Sequence, residues 1–96
     1  MSEFEIKLAE LRQEVDMVDD AICELLSTRM VLSEEIGYLK KEHGVDEMST
    51  SRREEIYSRL DQVAIELGIS TIMVRSIYSH IFDHSIIRQT TILNKK

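Results

Sequence analysis

Arg29 is the residue hardest to dismiss as ordinary surface. It falls in the series Phe4, Leu8, Leu11, Val15, Val18, Ile22, Leu25, Arg29, Leu32, Ile36 and Leu39, whose steps alternate four and three residues, and every other member is apolar. Such a series is one stripe of an α-helix, and a guanidinium within it is costly to bury unless an anion meets it. Lys40 follows eleven residues later, about 20° away around a helix and about 16 Å along it, so both side chains can reach toward one small anion. Ser33 lies on the same strip. Arg12 precedes Arg29 by seventeen residues, about 100° around and about 25 Å along, and can serve only a different copy of such a site. Arg52 adjoins the stripe of a second helix, and Ser85 and Gln89 close that of a third. Each cation alone is ordinarily a snorkelling surface side chain. Together they describe a pocket for a small polyanion such as a dicarboxylate, held by guanidinium forks.

Other chemistries have little support. His80 and His84 have i, i+4 spacing, but Asp83 is the only acid beside them, His43 is distant, and no HExxH sequence surrounds the pair. There is no Gly-rich phosphate loop and no nucleophile-and-base motif. Cys23, the only cysteine, allows no intramolecular disulfide and reads as a small packed side chain.

The elements that must position these residues are helical. The chain lacks Pro, has three Gly and contains few aromatics, a composition that favours helices over strands. The first helix is expected over Phe4–Lys41, with Gly37 its only interruption and Gly44 ending it in a left-handed cap. Ser49, Thr50 and Ser51 offer caps for a second helix, about Arg52–Leu67, and Ser51 with Glu54 has capping-box spacing. Its stripe is Ile56, Leu60, Val63 and Leu67. Gly68 ends it, and Ser70 or Thr71 opens a third helix reaching about Leu93, whose stripe runs Val74, Ile77, Ile81, Ser85 and Gln89. A first helix of about 38 residues spans roughly 57 Å, against a radius of gyration near 12–13 Å for a compact chain of this length. A second chain must therefore cover much of its stripe, and an interlocked helical dimer is the economical arrangement.

Ninety-six residues suit one domain, 1–96. A net charge of −6 argues against general nucleic-acid binding. No apolar run approaches a membrane span or a signal-peptide core, so the protein is expected in the cytoplasm.

In order and spacing, LAELRQEVDMVDDAICELLSTR, IGYLK, SRREEI and HSIIRQ resemble the all-α chorismate mutases, from about Leu8 to Gln89 without gaps. The resemblance implies an intertwined homodimer of three-helix chains with two equivalent sites, each completed by Arg12 of the partner subunit. It implies that Arg29 and that Arg12 bind the two carboxylates of chorismate, with Arg52 nearby and Ser85 helping to hold a carboxylate. Lys40 and Gln89 would donate hydrogen bonds to the ether oxygen during rearrangement to prephenate, with no metal or cofactor.

One position departs from the family pattern. Where the family has a Glu that accepts from the ring hydroxyl, this chain has Arg53, which sits by the pocket or swings out to solvent; Arg53→Glu would restore the acceptor in the same register. Glu54 cannot substitute, because it points about 160° from Ile56. Ser49 stands where an Asp is common. The alternatives are an enzyme of the same fold acting on isochorismate (as a pyruvate lyase) or on 4-amino-4-deoxychorismate, and a non-catalytic helical dimerisation or metabolite-sensing module. An ammonium on the ring carbon fits Arg53 less well than isochorismate does.

Overall fold

The computed structural model describes residues 1–45 and 50–95. Three α-helices follow one another, α1 (Glu3–Glu42), α2 (Thr50–Leu67) and α3 (Thr71–Leu93), with no strand among the described residues. The all-α expectation holds, and each helix end falls within two residues of its expected place.

The helix ends follow from local chemistry. Gly44 takes φ +66°, and the Gly44 and Val45 amides donate to the carbonyls of Lys41 and Lys40 at 3.2 and 2.8 Å, the paired bonds of a Schellman cap. Gly68 repeats the device at φ +70°, its own amide and that of Ile69 donating to Ile65 and Ala64. Both positions need the left-handed backbone that glycine takes without steric cost. Ser70 caps α3, its hydroxyl accepting from the Met73 amide at 3.2 Å. At the start of α2, Thr50 is already helical. Ser51 thus lies inside the first turn, and its spacing to Glu54 does not mark the cap. Ser49 lies outside the described residues.

The chain divides into two units, Met1–Val31 and Leu32–Lys96. The first is the greater part of α1. Apart from half-buried Leu8, its apolar stripe is exposed: Phe4 is 72% exposed, Leu25 70%, and Leu11, Val15, Val18 and Ile22 are all exposed. Cys23, expected to be packed, is exposed as well, because no other described element covers that part of the helix within its unit.

The second unit holds the core. Tyr57 and Phe82 meet edge to face at 5.1 Å between ring centroids, and Arg75 reaches back to Asp61, so rising numbers on α2 pair with falling numbers on α3 and the two helices are antiparallel. Ile56, Leu60 and Phe82 are buried, with Tyr57, Val74 and Tyr78 packed against them. Two expected stripes shift by part of a turn. On α2 the inward series is Ile56, Leu60 and Ala64, while Leu67 is 69% exposed; on α3 Tyr78 and Phe82 face inward, while Ile77 is 50% exposed. Large aromatics remove more apolar area from water than an isoleucine does, and α3 turns to bury them.

The end of α1 runs beside the C-terminal half of α3. Glu34 pairs with Arg88, Lys40 with Gln89, and Lys41 with the Lys95 carbonyl. Numbers rise together on both helices, so this contact is parallel. The face of α1 used here is not the expected stripe. Ser33 and Gly37 are buried, whereas Leu32, Ile36 and Leu39 are exposed.

Candidate active site

Two matched series meet where α1 and α3 run side by side. Ser33, Gly37 and Lys40 recur at four and three residues on α1, and Ser85, Gln89 and Ile92 do the same on α3. Gly37 lies directly against Gln89 and Ile92. Ser33 is 4% exposed and Ser85 6%. These are the buried polar side chains of the described residues.

Lys40 reaches across this contact. Its Nζ donates to Gln89 Oε1 at 2.8 Å, and both side chains are half-buried. The chemistry of the pair fixes the amide's orientation. An ammonium can only donate, so Gln89 must turn its oxygen toward Lys40, which leaves the two N–H groups of Nε2 directed elsewhere. An ammonium and an amide N–H thereby sit side by side as donors in a partly desolvated place, an arrangement suited to an oxygen that gains negative charge. Ser85 and Gln89, which plain surface could have claimed, are both drawn inward.

The two adjacent arginines of α2 behave differently. Arg52 pairs with Glu55 at 3.4 Å on the outside of the helix, with its side chain 63% exposed. Arg53 turns inward. Its guanidinium lies 5.0 Å from the centre of the Phe82 ring, a cation–π contact. Its Nη2 stands 3.7 Å from Asp83 Oδ1, close enough for an ion pair and too long for a hydrogen bond. Nη2 is itself buried and has no hydrogen-bond partner among the described residues. Swinging out to solvent is therefore not what Arg53 does in this chain.

Arg12 and Arg29 belong to the Met1–Val31 unit. Arg29 is half-buried, and Arg12 is exposed in a shallow concavity of α1 lined by Leu8, Ala9, Gln13 and Asp16. A single helix can offer such a concavity but cannot close it. Among the described residues no group of three or more His, Cys, Asp or Glu side chains could hold a metal ion, and no described helix is long and apolar enough to cross a membrane.

Sequence reasoning missed three participants. Gly37 was legible only as an interruption of α1, although a glycine inside a helix is itself a signal of close packing. Phe82 and Asp83, the neighbours of Arg53, lay off the expected stripe of α3, and nothing in one dimension links them to α2.

The sequence model of the family described as chorismate mutase type II matches residues 11–90, a span that contains Arg12, Arg29, Lys40, Arg52, Arg53, Ser85 and Gln89. A chorismate mutase from Methanocaldococcus jannaschii is 25% identical over 79 residues, covering 82% of this chain and 80% of that protein. No solved structure matches.

Proposed function

The chain belongs to the chorismate mutase type II family, and from that membership we propose that it is an isomerase converting chorismate to prephenate, as one domain over residues 1–96 that works in an intertwined homodimer. The observation that carries the mechanism is the 2.8 Å contact between Lys40 Nζ and Gln89 Oε1. The rearrangement breaks the ether C–O bond of chorismate while a C–C bond forms within the same molecule. Electron density moves onto the ether oxygen as the bond lengthens. Lys40 and the Nε2 of Gln89 donate to that oxygen, and their hydrogen bonds strengthen as charge grows, so they favour the transition state over the bound substrate. No proton leaves or joins the substrate, and the reaction needs no nucleophile, metal or cofactor.

The remaining cations hold the substrate. Arg29 and Arg12 of the partner subunit bind its two carboxylates, Ser85 helps to hold one of them, and Arg52 stands nearby. Clamping both carboxylates selects the folded conformer in which the reacting carbons meet. The exposed stripe on Met1–Val31 supports the dimer, since Phe4, Leu11, Val15, Val18, Ile22 and Leu25 all stand in solvent in one chain and such a surface calls for a partner. Sedimentation at micromolar concentration checks this, and a folded monomer would remove the proposed role of Arg12.

Arg53 bears on the substrate's ring. Its Nη2, which makes no hydrogen bond among the described residues, can only donate, so it would meet lone pairs of a hydroxyl or a carboxylate. That feature favours, as a second reading, a chorismate-like substrate such as isochorismate cleaved to release pyruvate. Purified protein assayed in parallel with chorismate, isochorismate and 4-amino-4-deoxychorismate separates the two. Prephenate formation from chorismate at the highest kcat/KM supports the mutase, whereas turnover confined to either of the others overturns it.

A further inference from the structure

We propose that Gly37 is a positioning residue for the reaction: the missing side chain at this point of α1 sets how closely α3 approaches and so fixes the reach of Lys40 to Gln89. The proposal rests on the reading of Lys40 and Gln89 as the two donors to the ether oxygen. A methyl group built on Gly37 would stand 3.1 Å from Ile92 Cβ, 3.2 Å from Gln89 Cα and 3.3 Å from Ile92 Cγ2. All three are tighter than ordinary van der Waals contact. Gln89 Cα is backbone and Ile92 Cβ is bonded directly to backbone, so neither can move aside by a change of rotamer. Room for the methyl comes only from shifting α3 by a few tenths of an ångström.

The conformation of α1 does not require this glycine. Gly44 and Gly68 have positive φ, whereas Gly37 does not, and it lies inside α1 (Glu3–Glu42), where alanine is the better helix former. Close approach is what remains, and it falls on Gln89 itself, one helical turn from Lys40. The Lys40–Gln89 bond spans 2.8 Å. Donors aimed at a developing charge lose effect steeply once they leave a narrow range of distances.

The test uses Gly37→Ala in the full chain, with kcat and KM measured on chorismate and with circular dichroism and sedimentation compared with the parent. A misplacement of an ångström can cost a hundredfold, so a few tenths should lower kcat by roughly tenfold. KM should change less than kcat, within about twofold, because the two arginines proposed to clamp the carboxylates, Arg29 and Arg12 of the partner subunit, are not on α3. In a Gln89→Ala background, Gly37→Ala should cost less than about twofold, because the group it positions is gone. Parent-like kcat in Gly37→Ala, the same tenfold loss with and without Gln89, or failure of the variant to fold would each overturn the proposal. Near-parent kcat in both Lys40→Ala and Gln89→Ala would instead show that the donor pair was misread, a result separable from any outcome at Gly37.

Discussion

Along its first half α3 meets α2 through Tyr78 and Phe82, which pack with Tyr57, Ile56 and Leu60. Along its second half it meets the end of α1 through Ser85, Gln89 and Ile92, beside Ser33, Gly37 and Lys40. One helix thus makes two contacts of opposite chemistry. The α2 contact buries side chains worth about 1.5–3 kcal/mol each, and its aromatic edges add about 0.5–1.5 kcal/mol per pair. The α1 contact is built from small and polar residues, with Ile92 as its one large buried apolar side chain. Its close approach depends on small side chains, since larger ones would overpack it. The difference separates duties: the first half of α3 anchors the helix, and the second half is proposed to hold the donors in place. At its margin, the ion pair of Glu34 with Arg88 and the cation–π contact of Lys95 with Tyr38 keep the register of the parallel pair without filling the space between.

The sharpest way to break this division is Phe82→Ala. Phe82 is 5% exposed and touches both Tyr57 and Tyr78, so truncation should cost about 3–5 kcal/mol of stability. Urea denaturation would measure it. A loss below about 1 kcal/mol would mean that the α2 contact does not anchor α3.

Lys40→Ala should do the reverse. Removing a preorganised donor costs about 2.7–4 kcal/mol in the barrier, a fall in kcat of about 10²–10³, while the melting temperature should move little. Steady-state kinetics beside a thermal melt gives both numbers, and near-normal turnover would end the ether-oxygen role.

Arg53→Glu sharpens the boundary between the two halves, because residue 53 touches Phe82 of the α2 contact and is proposed to meet the substrate's ring. The substitution exchanges a cation–π contact with Phe82 and an attraction to Asp83 for a carboxylate beside a carboxylate. Stability should fall by about 1 kcal/mol. Activity on chorismate should be kept or raised, since the new carboxylate can accept from the ring hydroxyl. A large loss of kcat/KM with the fold intact would assign Arg53 a contact of its own with substrate.

The smallest effect belongs to the outer edge of the α2 contact. Arg75 grips Asp61 with two hydrogen bonds, at 2.8 and 2.6 Å, while lying 4.7 Å from the Tyr57 ring centre. The hydrogen bonds from Arg75 hold the Asp61 carboxyl below its ordinary pKa, with burial opposing and the charge of Arg75 assisting. A carboxyl depressed in the folded state adds stability above its unfolded pKa of about 3.9, and that contribution disappears as pH falls through the folded value. Asp61→Asn should therefore melt slightly below the parent at pH 7, and the gap should close in acid. A gap that persisted at about pH 2 would assign the effect to packing instead.

Local chemistry was enough to read much of this chain. Gly44 and Gly68 end helices because only glycine takes positive φ freely, and Ser70 opens α3 because its hydroxyl accepts from the backbone two or three residues on. These events are settled within one turn and need no knowledge of neighbours. The spacing of Arg29, Lys40, Ser85 and Gln89 was legible for a similar reason, since polar residues on an apolar helical face are anomalies in one dimension. What only the tertiary structure decided is which face of each helix turns inward. Apolar residues lie all round α3, from Ile72 and Met73 through Ile77, Tyr78, Phe82, Ile86 and Ile87 to Ile92, so periodicity alone accommodates several faces. The choice of Tyr78 and Phe82 over Ile77 came from the rings that α2 offers. The choice of Ser33 and Gly37 over Leu32 and Ile36 came from how closely α3 can approach a helix that lacks a side chain at residue 37. Burial of a face is a property of two surfaces, and a sequence presents them one at a time.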